Sequence, residues 1–132
     1  MKLLTRNTDY AVQALIYLAK NEGKVVSALE LNQHLKLPRP FLRSLLQKLT
    51  KAGYIKSFKG KGGGFKLLKP CHGIQIIELI KIFQGKFEVV ECLLKGKPCP
   101  NRLACRLRKE LKDIADYVRS RLTQITISSL LG

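Results

Sequence analysis

Apolar residues recur every three or four positions through the first third of the chain, which predicts a series of short helices. The first helix is predicted to begin after an N-cap at Thr8, with Asp9 in its first turn and Gly23 as its stop. The second follows the capping box Ser27–Glu30 and continues to about Leu35. Both predicted helices therefore begin with polar residues that can accept hydrogen bonds from free backbone N–H groups.

The third predicted helix spans Arg39 to Gly53 and is followed by an alternating pattern. Its apolar face comprises Phe41, Leu42, Leu45, Leu46 and Leu49. The segments YIKSF and FKLLKP alternate as strands do, and the Gly-rich KGKGGG between them is typical of a turn. We therefore predict a mainly α fold with a small β-hairpin, in which a winged helix-turn-helix domain occupies residues 1–70.

The second half, residues 71–132, is predicted to contain a short helix (IQIIELIKIFQG), an irregular loop from about Gly85 to Asn101, and a long helix from Arg102 or Leu103 to Leu122. An apolar stripe at intervals of three or four follows this helix: Leu107, Leu111, Ile114, Val118, Leu122 and Ile125. Such a stripe suits a coiled-coil-like seam between two copies of the chain. Packing on its own domain is the alternative, and we favour the homodimer.

The charge of the chain is strongly unbalanced, with 25 Lys and Arg against 9 Asp and Glu and a formal net charge of +16. No Asp or Glu occurs between Leu31 and Ile77. The same span carries Lys36, Arg39, Arg43, Lys48, Lys51, Lys56, Lys59, Lys61, Lys66 and Lys69. Because such a surface repels itself unless a polyanion neutralises it, we expect double-stranded DNA as the partner, ahead of an anionic membrane surface.

No apolar run approaches the roughly 20 residues that a membrane-spanning helix needs, and the N-terminal segment MKLLTRNTDYAV does not resemble a signal peptide. We therefore expect a cytoplasmic protein without a membrane partner. No nucleophile–base pair or carboxylate pair stands out, so an enzyme is not expected. A basic structural or RNA-binding protein is the less favoured alternative.

The second helix of a helix-turn-helix enters the major groove with its N-terminal residues towards the base edges. Arg43 and Arg39 can pair with guanine, and Lys59 of the hairpin is our candidate for the adjacent minor groove. The full predicted DNA-binding set is Arg39, Pro40, Arg43, Ser44, Gln47, Lys48, Lys59 and Lys61. The Gly-rich run lacks the GxxxxGK[ST] pattern, so it does not indicate nucleotide binding. A dimer of this kind would recognise a pseudo-palindromic operator.

Three cysteines, Cys92, Cys99 and Cys105, lie close together in the second half. A reducing cytosol argues against a disulfide, and the wide spacing does not fit the close CxxC pairs of a zinc ribbon. Thiolates that hold an iron–sulfur cluster need stabilisation, which Arg102, Arg106 and Arg108 can supply to Cys105. A thiol-redox or metal-responsive regulator without a cluster remains the alternative. Cys71 lies outside this motif and is expected to be a structural thiol.

Four segments resemble the IscR/NsrR family of bacterial winged-helix regulators, also called the Rrf-two family. They are MKLLTRNTDYAVQAL, LPRPFLRSLLQKLTKAGYI, KGKGGGFKL and CPNRLACRLRKELKDI, and the resemblance covers essentially the whole length. It implies a homodimeric transcription factor, which we expect to be a repressor. Its DNA binding would be switched by an iron–sulfur cluster that responds to nitric oxide, redox state or iron–sulfur status.

The resemblance also implies a ligand set. IscR-like members carry a histidine three residues after the last cysteine, where this chain has Arg108. NsrR-like members use an aspartate at the start of the first helix, contributed by the other subunit, and Asp9 matches it. We therefore expect Cys92, Cys99, Cys105 and Asp9 to hold a 4Fe–4S cluster, in preference to 2Fe–2S, with His72 and His34 as rival fourth ligands. Six residues separate the first two cysteines, whereas five is commoner in the family.

Overall fold

The computed structural model describes residues 3–85 and 106–132. Its helices are α1 (Arg6–Lys20), α2 (Ala28–Leu35), α3 (Arg39–Lys51), α4 (Ile76–Gln84) and α5 (Arg106–Gln124), with short 3-10 turns at Cys71–Gly73 and Ser128–Leu130. The strands β1 (Ile55–Phe58) and β2 (Gly64–Leu67) form one antiparallel hairpin. The predicted mainly α fold with a small β-hairpin is confirmed. Cys92, Cys99 and Cys105 lie outside the described residues, as does the predicted start of the long helix.

Helix α1 begins earlier than the sequence suggested, and the predicted N-cap at Thr8 is wrong. Thr5 is the N-cap, and its hydroxyl oxygen accepts the N–H of Thr8 at 3.4 Å. Thr8 is completely buried, and its own hydroxyl donates to Gln84 at 2.7 Å. Thr8 is therefore occupied by a tertiary contact. The predicted stop at Gly23 is also late, because the helix ends at Lys20 with Asn21 as its C-cap.

Helix α2 starts at the predicted cap but uses only half of the capping box. The Ser27 hydroxyl oxygen accepts the N–H of Glu30 at 3.0 Å. The Glu30 carboxylate does not return to the cap but accepts the hydroxyl of Tyr17 on α1. This contact ties α2 to α1.

The buried residues form one continuous apolar cluster. Leu15 and Leu18 of α1 meet Leu31, Leu46 and Leu49 of the helix-turn-helix, all at most 2% exposed. The same cluster includes Ile74, Leu79, Ile80 and Ile127 from the second half. The division into residues 1–70 and 71–132 stays a prediction about function, since both parts contribute to this single core.

The hairpin, referred to below as the wing (residues 55–67), is joined to the segment before α2. Its register pairs Ile55 with Leu67 and Phe58 with Gly64. Val26 and Phe65 exchange two backbone hydrogen bonds of 2.8 and 2.7 Å, which add a third, one-residue strand to the sheet. A Cβ at Gly64 would lie 2.3 Å from the Val26 carbonyl oxygen. The close approach that allows this bridge thus requires glycine at residue 64.

The apolar stripe of α5 divides between two environments. Leu122 is buried, and Val118 packs partly buried against the core. Backbone bonds of Ile76 N–H to Ile125 O, 2.9 Å, and Ile127 N–H to Ile74 O, 3.0 Å, fix this end of the helix to the start of α4. Towards the other end, Leu107 and Ile114 are 66% and 53% exposed, and Leu111 is half-buried. The alternative of packing on the chain's own core thus holds for the C-terminal part of the stripe.

We expect Gly64→Ala to lower the free energy of unfolding by about 1–3 kcal/mol, the cost of inserting a methyl group into a packed contact. The added Cβ would force Val26 and Phe65 apart. Urea denaturation measures the effect, with Gly73→Ala as the control, because there the nearest atom lies 3.8 Å away. Equal stabilities of the two variants would show that the bridge does not depend on Gly64.

Candidate nucleic-acid interface

One exposed face of α3 carries most of the predicted DNA-binding residues. Arg39, Arg43 and Gln47 follow one another at intervals of four residues and therefore lie on the same side of the helix. With Pro40 and Ser44 they line a shallow surface groove of about 310 Å³. All five of these residues are exposed. The structure thus brings this part of the predicted set together.

A larger groove, of about 890 Å³, separates α2 and α3 from the wing. Its basic residues are Arg39, Arg43, Lys51 and Lys59. The remaining lining residues are Ala28, Leu29, Asn32, Leu42, Leu46, Gln47, Thr50, Ser57 and Phe65. Within the described part of the chain, none of the lining residues is acidic. The basic residues that border the groove form one positively charged surface, which extends from α3, the recognition helix, to the wing.

Several of these groove residues were missed by the sequence reasoning. Leu29 and Asn32 belong to α2, and Phe65 belongs to the second strand of the wing. Val26, two residues before α2, is bridged to Phe65. No local pattern marks these residues, because only this tertiary contact brings α2 and the wing together at one groove.

Acidic side chains near the basic face are directed elsewhere. Glu30 accepts the hydroxyl of Tyr17, and Glu78 accepts the hydroxyl of Tyr54 at 2.9 Å. The hydrogen bond from Tyr17 to Glu30 is the main cause of the raised pKa of Tyr17. Each carboxylate thus makes an intramolecular contact, and neither of them lines the groove.

The N-terminus of α3 lacks the features that usually stabilise the start of a helix. Its N-cap is Pro38, which makes no side-chain cap bond, and its first turn contains Arg39 and no acid. A positive charge at this end opposes the helix dipole, which costs about 0.3–1 kcal/mol. Free backbone N–H groups and a positive end together favour an anion such as a DNA phosphate.

Lys48 lies on a different side of α3 from Arg43 and Gln47. Its ammonium group is 5.6 Å from the centroid of the Phe83 ring on α4. It also lines a small cavity of about 30 Å³ with Asn7 and Phe41. The predicted approach of Lys48 to the DNA backbone therefore stays a prediction, and the structure places its side chain at the junction with α4.

The tip of the wing presents Lys59 and Lys61 to solvent. Gly60 and Gly62 have φ values of 90° and 77°, which glycine adopts without strain. The Gly63 N–H donates to the Gly60 carbonyl oxygen at 3.0 Å. These glycines shape the turn that carries the two lysines, whereas Lys59 also lines the large groove.

The base of the wing is held by a polar contact to α4. Tyr54 is only 5% exposed, and its hydroxyl donates to the Glu78 Oε2 atom. The Lys69 ammonium lies 3.5 Å from the same oxygen and 4.9 Å from the centroid of the Tyr54 ring. Burial, and then the bond to Glu78, raise the pKa of Tyr54 to about 12. The neutral, donating form of Tyr54 is thus retained across the ordinary pH range.

Asp9 is exposed in the first turn of α1, where it can reach a ligand. Next to it, Gln84 at the end of α4 accepts the backbone N–H of Thr5 at 2.8 Å and the hydroxyl of Thr8 at 2.7 Å. The end of α4, from which the chain enters residues 86–105, is therefore attached to the start of α1. The ligand role of Asp9 stays a prediction.

The rival ligands lie elsewhere. The His34 ring lies 4.4 Å from that of Tyr17, and His72 is exposed in the turn after the wing. Cys71 is a free, half-buried thiol that packs against the core. Residues 3–85 and 106–132 contain no group of three His, Cys, Asp or Glu side chains suited to a metal ion. Any site formed with the three cysteines would require residues outside these ranges.

The family model of Rrf2, described as "Iron-dependent Transcriptional regulator", matches residues 4–132. The chain belongs to the Rrf2 family. It is 31% identical over 129 residues to protein aau3 of Rhizobium meliloti, covering 97% of this chain and 84% of that protein. A protein of Aquifex aeolicus that carries the description HTH-type transcriptional regulator is 32% identical over 125 residues, with 93% and 87% covered.

Solved structures of Rrf2 proteins share the architecture. The oxidized form of Staphylococcus aureus CymR has a TM-score of 0.76 at 26% identity, covering 99% of this chain and 96% of that one. IscR of T. potens has a TM-score of 0.73 at 25% identity, with 99% and 86% covered. CymR of B. subtilis, "the Global Cysteine Regulator", has a TM-score of 0.70 at 26% identity, with 99% and 97% covered.

The family assignment settles the general class of this protein. It is a transcriptional regulator, and Rrf2 regulators bind DNA and are usually dimers. The comparisons indicate no catalytic family. No helix in the described ranges is long and apolar enough to cross a membrane.

Proposed function

We propose that this Rrf2 regulator is a homodimeric, cytoplasmic repressor whose affinity for a pseudo-palindromic operator is switched by an iron–sulfur cluster. The signal would be nitric oxide, redox state or iron–sulfur status. The observation that carries the DNA-binding part is the acid-free groove between α3 and the wing, with Arg39, Arg43, Lys51 and Lys59 on it. The cluster part is supported by the iron-dependent family description and by the similarity to IscR.

In the proposed complex, α3 lies in the major groove with Arg43 towards a guanine edge. Arg39 and the free N–H groups at the start of α3 lie close to a phosphate. The wing then reaches the adjacent minor groove with Lys59, while Lys61 approaches the backbone. The distribution of charge supports this orientation, because the basic residues of both elements border the same groove.

We expect Arg43→Ala to relax the sequence preference at one base pair, at a cost of about 1–3 kcal/mol, because a base contact is lost. Lys61→Ala should instead weaken binding to all sequences and reduce the salt slope of log K by about 1. Both effects are measured by fluorescence anisotropy at several salt concentrations, on duplexes selected from a random library and on shuffled duplexes. If the two variants lose affinity in the same pattern, the assigned orientation of α3 is wrong.

The proposed cluster ligands are Cys92, Cys99, Cys105 and Asp9, with 4Fe–4S favoured over 2Fe–2S. When bound, the cluster would supply iron whose ligands can be exchanged by nitric oxide or oxygen. The arginine at residue 108, where IscR-like members have a histidine, supports an NsrR-like set that includes Asp9. Asp9 follows the buried Thr8, which is bonded to α4, and α1 contacts α2, α3 and α4. A change at Asp9 would thus reach the DNA-binding elements through α1.

We expect protein purified without oxygen to be coloured and to contain iron and sulfide. Asp9→Ala should leave a labile cluster, because one ligand is lost, whereas His72→Ala should match the wild type. Visible absorption, with iron and sulfide analysis over time in air, measures both. A colourless, iron-free protein that resists reconstitution would rule out the cluster, and a labile cluster in His72→Ala alone would transfer the ligand role to that histidine.

A second candidate is a regulator that responds to thiol chemistry without a cluster. It is favoured by the similarity to CymR, which is described as a cysteine regulator and has been solved in an oxidized form. In that case the anaerobic protein would be colourless, and its DNA affinity would change on treatment with a thiol or a mild oxidant. The same preparation therefore distinguishes the two candidates.

The proposed dimer uses the exposed end of the α5 stripe, including Leu107, Leu111 and Ile114. We expect Ile114→Lys to convert the dimer to a monomer with an unchanged helical circular dichroism spectrum, since Ile114 is 53% exposed within one chain. Sedimentation velocity measures the change. Ser120→Lys adds the same charge at an exposed residue outside the stripe and should leave the dimer intact. An intact Ile114→Lys dimer would exclude this seam.

A further inference from the structure

We propose that Glu78 of α4 is a positioning residue that holds the wing in the orientation needed for its contact with DNA. This inference rests on the proposed contact between Lys59 and the minor groove. It concerns a residue that belongs to neither the recognition helix nor the wing. Glu78 is also the only acidic residue in the long basic stretch between Glu30 and Glu88.

Glu78 is connected to both ends of the wing through one buried residue. The Tyr54 hydroxyl donates to its Oε2 atom at 2.9 Å, and Tyr54 immediately precedes β1. The Tyr54 carbonyl oxygen accepts the N–H groups of Leu68 and Lys69 at 2.9 and 3.3 Å, directly after β2. Lys69 also reaches the same Glu78 oxygen, at 3.5 Å. Both ends of the wing are therefore linked to the Glu78 carboxylate.

The wing has a second attachment, the bridge between Val26 and Phe65. Two attachments at separate points fix the direction of a short hairpin, whereas one allows it to pivot. Removal of the Glu78 contact would leave the wing paired at Phe65 and bonded through the Tyr54 N–H to the Leu49 carbonyl oxygen at 3.1 Å, but without the side-chain anchor that joins its base to α4. The hairpin could then tilt relative to α4. Lys59 lies two residues beyond Ser57, the hairpin partner of Phe65, so it would shift when the hairpin tilts.

The ion pair alone does not explain the arrangement. The Lys69 and Glu78 side chains are 39% and 36% exposed, and such pairs contribute little to stability. The bond from Tyr54 differs, because its donor is 5% exposed. With the pKa of Tyr54 raised to about 12, the neutral donor contributes stability below about pH 10, its unfolded value, and that contribution is lost as pH rises towards 12. The contact is thus constant at neutral pH, as a positioning role requires.

Two substitutions of Glu78 distinguish the loss of its contact with Tyr54 from the loss of its negative charge. Glu78→Ala and Glu78→Gln both remove a negative charge near the DNA, but glutamine retains an oxygen that can accept the Tyr54 hydroxyl. We expect Glu78→Ala to bind selected duplexes roughly three- to tenfold more weakly than Glu78→Gln, the order of one lost phosphate or groove contact. Equal affinities of the two variants would overturn the proposal.

A double-mutant cycle with Lys59→Ala tests the link to the wing. Lys59→Ala should weaken binding in the wild-type and Glu78→Gln proteins but have little further effect in Glu78→Ala, where the wing is already displaced. Additive losses would refute the positioning role while leaving the proposed wing contact intact. If Lys59→Ala has no effect in any background, the proposed wing contact is wrong and the inference fails with it.

The control for stability is a second tyrosine–glutamate pair. Tyr54→Phe removes the hydroxyl that reaches Glu78, and Tyr17→Phe removes the one that reaches Glu30 between α1 and α2. We expect Tyr54→Phe to weaken DNA binding as much as Glu78→Ala does, and Lys59→Ala to cause little further loss of affinity in that background. Tyr17→Phe should change neither the DNA affinity nor the effect of Lys59→Ala. Tyr54→Phe also keeps the test decisive if Glu78→Ala does not fold. Equal effects of the two tyrosine variants would show a general loss of stability and contradict the proposal.

Discussion

Two backbone hydrogen bonds between Val26 and Phe65, 2.8 and 2.7 Å long, join the wing to the start of the helix-turn-helix. They require glycine at residue 64, because a side chain there would meet the Val26 carbonyl oxygen. The bridge also places the Ser27 cap, and with it the first turn of α2, beside β2. The groove between α2, α3 and the wing exists because these elements are held at this separation, so the basic surface depends on a contact that involves no charge.

The charge distribution favours binding over the stability of the isolated chain. A net charge of +16 opposes folding by self-repulsion, and Arg39 at the start of α3 opposes the helix dipole. Carboxylates could have relieved both effects. Glu30 and Glu78 instead accept hydrogen bonds from tyrosine hydroxyls of the same chain, and no acid lines the groove within the described residues. DNA phosphates can supply the missing negative charge when the complex forms.

Helix α4 contacts both the base of the wing and the first turn of α1. It is about 13 Å long at 1.5 Å per residue. Glu78 near its start contacts the base of the wing, and Gln84 at its end contacts the first turn of α1, beside Asp9. A rigid helix with these contacts can transmit a change at either end to the other. Leu79 and Ile80 of α4 belong to the apolar core of the described residues, so α4 cannot move without its neighbours.

The sequence by itself determined the winged helix-turn-helix and the basic face, because helical periodicity, Gly-rich turns and charge runs are local properties of the chain. It also indicated the family, through the resemblance of four of its segments to known members. Tertiary contacts decided the rest. Thr8 is not the N-cap because its hydroxyl binds Gln84, 76 residues away, and Lys48 faces Phe83 of α4. The α5 stripe becomes partly core and partly exposed surface because only its C-terminal part, around Leu122, packs against the segment that begins α4. Such partners are distant in sequence, so no local pattern reveals them.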